Sequence, residues 1–162
     1  ELDRVVTTRG PGSFTGIRVA LATAQGIAFS IGKSALGLDS FSWVLKTYPK
    51  EIPSGQPVLV LLESLRLELY GQLFTAAGEG VGAPFSASPE DIAQNPTYKK
   101  ALCLGNGAFH LIEYGFQVDP FMPQATQLAE FASTLFEKEL EHYPCLPLYV
   151  RDADTSKAKA LK

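Results

Sequence analysis

Apolar and polar positions along this chain change period several times, and each change marks an element. Arg4 to Thr8 is rich in β-branched residues and stops at Arg9-Gly10, which predicts a strand and a turn. From Phe14 to Ile31 the length and apolar spacing predict a helix. Residues 34–38 read as a short strand. Ser40 then caps a helix that runs to about Tyr48 and stops at Pro49. The polar, Pro- and Gly-containing stretch 50–57 reads as a boundary between two lobes. Residues 58–64 and 67–76 predict two consecutive strands in a hairpin, with Tyr70 and Phe74 on one face, and 78–84 a flexible turn. Ser88, with Pro89 and Asp91 behind it, starts a helix. Residues 100–107 predict a strand that enters a Gly-Asn-Gly turn, with a helix beyond. Leu128, Phe131, Ala132, Leu135, Phe136 and Leu140 recur at helical spacing, so 124–142 reads as one amphipathic helix. The last residues start extended and end polar, the pattern of a frayed tail. Strands alternating with helices, with one antiparallel hairpin, predict an α/β protein.

The stretch 9–18, RGPGSFTGIR, holds three glycines ahead of the long helix. A Walker loop needs G-x-x-x-x-G-K-[ST], and Gly10, Gly12 and Gly16 do not have that spacing. Thr15 stands where a dinucleotide turn needs its third glycine. A nucleophile elbow needs glycine two places either side of the serine, and Pro11 and Thr15 occupy those places around Ser13. As a helix N-cap, Ser13 satisfies an orphan N–H worth roughly 1 kcal/mol. An anion at the helix N-terminus is a further reading. Within the helix Gly16, Ala20, Ala24 and Ala28 recur every four residues as a small-residue ridge, with Ile17, Leu21 and Ile31 nearby. On pattern alone such a ridge serves either packing inside the chain or a contact with another helix.

Composition narrows the classes. Apolar residues make up 46% and charged residues 19% of the 162, too apolar for disorder. A net charge of −3 argues against a large basic surface, and so against strong autonomous nucleic-acid binding. Cys103 and Cys145 lie far apart without a C-x-x-C and read as reduced, cytosolic thiols. No basic-then-apolar leader opens the sequence, and the long helix is too rich in Gly, Ala, Thr and Gln for a membrane span. The expected location is the cytoplasm. A strand at the very start, without a methionine, suggests a processed or truncated piece lacking earlier strands. The two histidines, His110 and His142, form no H-x-x-x-H pair, and no metal is expected. Asp39, Glu63 and Asp119 read as turn residues or solvated charges.

The run TRGPGSFTGIRVALATAQGIAF, entering an Ala/Gly-rich helix, resembles the signature of the TsaB (YeaZ) family. GLDSF (37–41), LLESLRLELYGQLF (61–74), LCLGNGA (102–108) and PLYVR (147–151) agree in order, so the resemblance covers nearly all of the chain. It implies an actin/Hsp70-like, ribonuclease H-like fold of two lobes with mixed sheets. Three strands and a helix of the family normally precede this start. Residues 1–52 would then be the remnant of the N-terminal lobe with an interface helix at 14–31, residues 56–145 the C-terminal lobe, and 146–162 a tail.

The implied role is a non-catalytic scaffold for TsaD in forming N6-threonylcarbamoyladenosine beside the tRNA anticodon, with a TsaE-like ATPase completing the complex. It also implies a homodimer when TsaD is absent, tRNA contact only through the complex, and neither cofactor nor membrane. Phe14, Gly16, Ile17, Ala20, Ala24 and Ala28 would line the partner interface. The LGNG turn resembles the adenosine-contacting turn of actin-like ATPases, which makes Gly105 and Gly107 nucleotide candidates beside the plain reading of a tight bend. Where relatives commonly read Asp-[Ala/Ser]-Arg, this chain has Glu63-Ser64-Leu65, with Arg66 one place later. An actin-like ATP-binding enzyme is the alternative function. A peptidase, the historical label in this family, finds no support in these residues.

Overall fold

Two sheets with different wiring share the chain. The structure, a computed structural model, describes residues 2–64, 66–135 and 137–150. In the first sheet β1 (Val5–Thr8) pairs in parallel with β2 (Ala35–Leu38), Val5 opposite Ala35 and Thr8 opposite Leu38. A parallel pair needs a crossover, and α1 (Phe14–Ser30) supplies it. Ser13 caps α1 by accepting from the Gly16 N–H at 3.3 Å. Ile17, Leu21, Ala24 and Ala28 are the buried residues of the helix, and their spacing places them on one narrow stripe.

The next helix, α2 (Ser40–Lys46), is capped by Asp39 and not by Ser40 as the pattern suggested: the Ser42 N–H donates to Asp39 Oδ1 at 2.8 Å. Ser40 is the first helical residue, and its hydroxyl donates back to the Pro11 carbonyl at 3.3 Å. Asp39 is therefore a structural acceptor at a helix start, where a negative charge also suits the helix dipole.

The second sheet has the order β5-β4-β3-β6-β7. β3 (Val58–Glu63) and β4 (Leu69–Phe74) form the expected antiparallel hairpin, and Tyr70 packs on the same side as Phe74. The expected flexible turn is instead the start of a further strand, β5 (Gly80–Ala87), antiparallel to β4. Its first four residues are exposed and include two glycines, so no apolar alternation marks that half, while Phe85 and Ala87 in the second half pack on the core. Beyond it come α3 (Pro89–Gln94), capped by Ser88, then β6 (Leu102–Leu104) and β7 (Gln117–Asp119), both parallel to their inner neighbours. A 3-10 run, Ala108–Tyr114, replaces the helix expected after the Gly-Asn-Gly turn and ends at Gly115 with φ of 77°.

β3 is covered on both faces, which is why its apolar run is continuous. Leu59 and Leu61 face Ile92, Cys103 and Leu111, while Val58, Val60 and Leu62 face Phe41, Val44 and Leu104. The second face is thus packed by α2, which precedes residues 50–57 in the chain.

The amphipathic pattern of 124–142 breaks in two, α4 (Ala125–Thr134) and a 3-10 turn (Glu137–His142). Leu135 has ψ of 133° and is buried, while Phe136 lies outside the described residues. Arg4 Nη1 donates to the carbonyls of Ala132 and Leu135, both at 2.6 Å, satisfying oxygens that continued helix would have used. Downstream, the Gly37 N–H of β2 donates to the Tyr143 carbonyl at 3.0 Å, a position that a straight helix would carry away from the sheet.

A polar clasp joins the end of α2 to β7. Lys50 Nζ and the Tyr48 hydroxyl both donate to Asp119 Oδ2, at 2.6 and 2.9 Å. Asp119 is thus an acceptor for two groups, not an isolated solvated charge. The Lys50 bond, joined by that of Tyr48, holds the Asp119 carboxyl below its usual range against the opposing effect of burial. Burial, helped by the bond to Asp119, pushes Tyr48 up to about 12. A lowered carboxyl contributes stability that is present above its unfolded value, about 3.9, and is lost as pH falls through the folded one. A raised phenol contributes stability that is present below about 10 and is lost as pH climbs towards the folded value. Urea midpoints measured at about pH 3, 7 and 11 are expected to show Asp119→Asn flattening the acid limb and Tyr48→Phe the alkaline one. The neutral-pH loss for Asp119→Asn should be about 1 kcal/mol or less, since Lys50 is largely exposed.

Candidate functional site

The turn 9–12 is held from two sides. The Ser40 N–H donates to the Gly10 carbonyl at 2.8 Å, and the Leu148 N–H donates to the Arg9 carbonyl at 2.8 Å. Gly10 has φ of 104°, and a Cβ there would lie 2.7 Å from both Ile17 Cδ1 and the Leu148 carbonyl oxygen, so only glycine fits. Ser13 spends its oxygen on the Gly16 N–H. These contacts build a helix start wedged between α2 and the C-terminal segment.

Along α1 the six expected interface positions do not share a face. Phe14 and Gly16 are exposed, Ala20 is half-buried, and Ile17, Ala24 and Ala28 are buried within the chain. Helix geometry is the reason. At 3.6 residues per turn an i, i+4 ridge rotates about 40° per step, so a ridge lateral at Gly16 has reached the sheet by Ala28. The outward face is made instead by Val19, Thr23, Gly26 and Ser30 with Ile27 beside them, all exposed.

Val19 is 60% exposed, Ile27 44% and Phe29 88%, so this surface is open and largely apolar. The one charged residue of the helix, Arg18, is drawn to a flank: its guanidinium lies 3.8 Å from the Phe14 ring centroid, and its Nε donates to the Tyr149 hydroxyl at 2.9 Å. The signal that would have found this face is the lack of any Asp, Glu or Lys from Phe14 to Ile31. A helix apolar on its inner side and uncharged on its outer side has the character of a helix covered on both.

The Gly-Asn-Gly turn sits at the C-terminal ends of β3 and β6. Gly105 has φ of 98°, and a Cβ there would strike the Leu61 carbonyl oxygen; one on Gly107 would lie 3.0 Å from the Leu62 carbonyl carbon. Both glycines are therefore accounted for by close approach to β3. Asn106 clasps Glu63, accepting from its N–H at 3.1 Å and donating to Oε2 at 3.3 Å, while Glu63 Oε1 lies 3.4 Å from His110 Nε2. Glu63 is thus the anchor of the turn, not a solitary charge. An open cleft of about 430 Å³ lies over this cluster, with Arg66, Ser88 and Tyr114 among its walls. Leu65, expected at the place of the family arginine, lies outside the described residues, as does Arg151.

His110 is on the 3-10 run beside Glu63 and His142 is in another 3-10 turn, and among the described residues no group of three His, Cys, Asp or Glu could hold a metal. Both cysteines are free thiols; burial pushes Cys103 up to about 12 and raises Cys145 too, the opposite of an activated nucleophile. No helix among the described residues is long and apolar enough to cross a membrane.

Comparison with known proteins gives these features a setting. The chain is 26% identical over 155 residues to the Uncharacterized protein ML0378 of Mycobacterium leprae, covering 95% of this chain and 39% of that protein. It is 31% identical over 107 residues to the tRNA N6-adenosine threonylcarbamoyltransferase of Maricaulis maris, covering 66% of this chain and 28% of that one. A stretch of 31 residues, 19% of this chain and 14% of that protein, is 52% identical to the tRNA threonylcarbamoyladenosine biosynthesis protein TsaB of Buchnera aphidicola. The chain therefore spans well under half the length of the curated relatives it matches.

Among solved structures, YeaZ from Pseudomonas aeruginosa superposes with a TM-score of 0.68 at 22% identity, covering 91% of this chain and 74% of that one. A protein described as similar to peptidase YEAZ from Pseudomonas aeruginosa gives 0.66 at 23% identity, covering 93% of this chain and 74% of that one. The fold is accordingly that of YeaZ, the mixed α/β arrangement of the actin/Hsp70-like class. The family model described as "TsaD: tRNA N6-adenosine threonylcarbamoyltransferase" matches residues 1–144. With nearly the whole described length accounted for by that match, the chain belongs to the TsaD family.

Proposed function

We propose that this chain acts in the cytoplasm as a docking subunit of the machinery that forms N6-threonylcarbamoyladenosine in tRNA, and that it does not carry out the transfer. Its partner in this reading is a TsaD-like subunit, joined by a TsaE-like ATPase, with a second copy of this chain taking the place when the TsaD-like subunit is absent. tRNA is then met only through the complex. The observation that carries the reading is the outer face of α1, which is open, apolar and free of charge along Val19, Thr23, Gly26 and Ile27. The interface expected from the small-residue ridge moves with it: Phe14 and Gly16 stay at its margin, Ala20 lies between the two faces, and Ile17, Ala24 and Ala28 serve to seat the helix on the sheet.

Two sets of variants separate seating from docking. Val19→Glu and Ile27→Glu put a charge on the outer face, and each is expected to leave the melting temperature within a few degrees of the parent. Burying that charge against a partner costs several kcal/mol, so affinity for a TsaD-like subunit should fall about 100-fold or more. Undiminished co-purification of both variants would sink the docking reading.

Ala24→Glu and Ala28→Glu drive a carboxylate into the stripe against the first sheet. They are expected to destabilise the chain by about 3 kcal/mol or more in urea titrations without any partner present. Wild-type stability in both would mean that the stripe is not the seat of the helix.

A further inference from the structure

Residues 143–150 form no regular element, yet they touch β2, α1, the turn at Arg9 and the cluster around α2. Pro144 bridges Leu36 in antiparallel sense on β2, beside the bond from the Gly37 N–H to the Tyr143 carbonyl. Gln25 Nε2, on α1, donates to the Cys145 carbonyl at 2.8 Å. Leu148 donates to Arg9 in the turn, and the Tyr149 ring lies 5.0 Å from that of Phe14 while its hydroxyl accepts from Arg18. Val150 then reaches the core of the second sheet, packing with the Phe41 and Val44 cluster. The segment runs along the flank of α1 that carries Phe14, Arg18 and Gln25 and leaves Val19, Thr23 and Gly26 uncovered.

Two glycines make room for it. A Cβ on Gly37 would lie 2.7 Å from the Pro144 carbonyl oxygen and 3.1 Å from Cys145 Cα, and one on Gly10 would lie 2.7 Å from the Leu148 carbonyl oxygen. The close approach is thus written at both ends of the segment, in residues more than a hundred positions away.

We propose that 143–150 is a brace that fixes the head of α1 in the geometry used for docking, so that release of the segment and loss of partner affinity are coupled. The brace sits beside the docking face and not on it, so it supports engagement without competing for the surface. The affinity half of this proposal rests on the docking reading; the mechanical half does not.

Gly37→Ala is the sharpest wedge. Gly37 lies in a strand with no left-handed φ, so alanine suits its backbone and meets only the segment and the Arg9 side chain. Tyr149→Ala releases the other end, and Tyr149→Phe keeps the ring while removing the acceptor of Arg18. Hydrogen exchange on the free chain should show the Leu148 amide exchanging at least tenfold faster in Gly37→Ala and Tyr149→Ala. The Gly16 and Ile17 amides at the head of α1 should speed up with it, while Leu59 and Cys103 in the second sheet stay unchanged. Tyr149→Phe should show a smaller rise at the same sites.

Affinity for the TsaD-like subunit should fall severalfold in the same order as the exchange rates rise. Faster exchange at Leu148 with Gly16 and Ile17 untouched would overturn the brace, as would a uniform rise that includes Leu59. Altered exchange with unaltered affinity, in a chain whose Val19→Glu variant does lose the partner, would overturn the coupling. If Gly37→Ala fails to fold, the same criteria applied to the two Tyr149 variants decide the matter.

Discussion

Two-sided burial of β3 is the constraint on which the rest of this structure depends. Val58 to Leu61 are fully shielded from water, and their alternating side chains need an apolar layer on each face. α3 and the 3-10 run supply one layer and α2 the other. The same strand's backbone seats the Gly-Asn-Gly turn, because the Leu61 carbonyl accepts the Gly107 N–H. A polar side chain anywhere in that run would leave an unsatisfied group between two packed layers, a loss of several kcal/mol at a single position.

Against that fully enclosed strand, α1 is seated by very little. Four residues of seventeen are buried, two of them alanines, so the area removed from water is small for a helix of this length. The helix is held as much by its ends and flank as by its face: Ser13 at the head, the turn clamped by Ser40 and Leu148, and Gln25 tied to Cys145. A helix fastened at its margins keeps its attachment to the sheet while its outer, uncharged side stays open.

Much of this architecture was legible in the residues, and the failures have physical causes. β1, α1, β2, the β3–β4 hairpin and α3 announce themselves by period and by caps, signals that are local. β5 and β7 do not: the first opens with exposed glycine-rich residues, and the second has three residues whose strand state depends on β6 beside them. Past Thr134 the helical spacing continues, but Arg4, far away in the chain, takes the carbonyls that would have extended the helix. The same limit applies to the candidate sites. The small-residue ridge was visible, yet which of its members face the sheet depends on rotation about the helix axis. For Gly105 and Gly107 the residues name a turn, but the backbone of Leu61 and Leu62 that presses on it lies more than forty positions away.

The bonds from Arg4 to Ala132 and Leu135, and from Gly37 to Tyr143, each join residues more than a hundred positions apart. Synthesis runs from the N-terminal side, so β1, α1 and β2 emerge from the ribosome long before the residues that fasten them. Through that interval the flank of α1 that carries Arg18 and Gln25 lacks its covering segment, and that closure is slow because it is long-range. The first sheet and α1 are fastened only when residues 132–150 arrive.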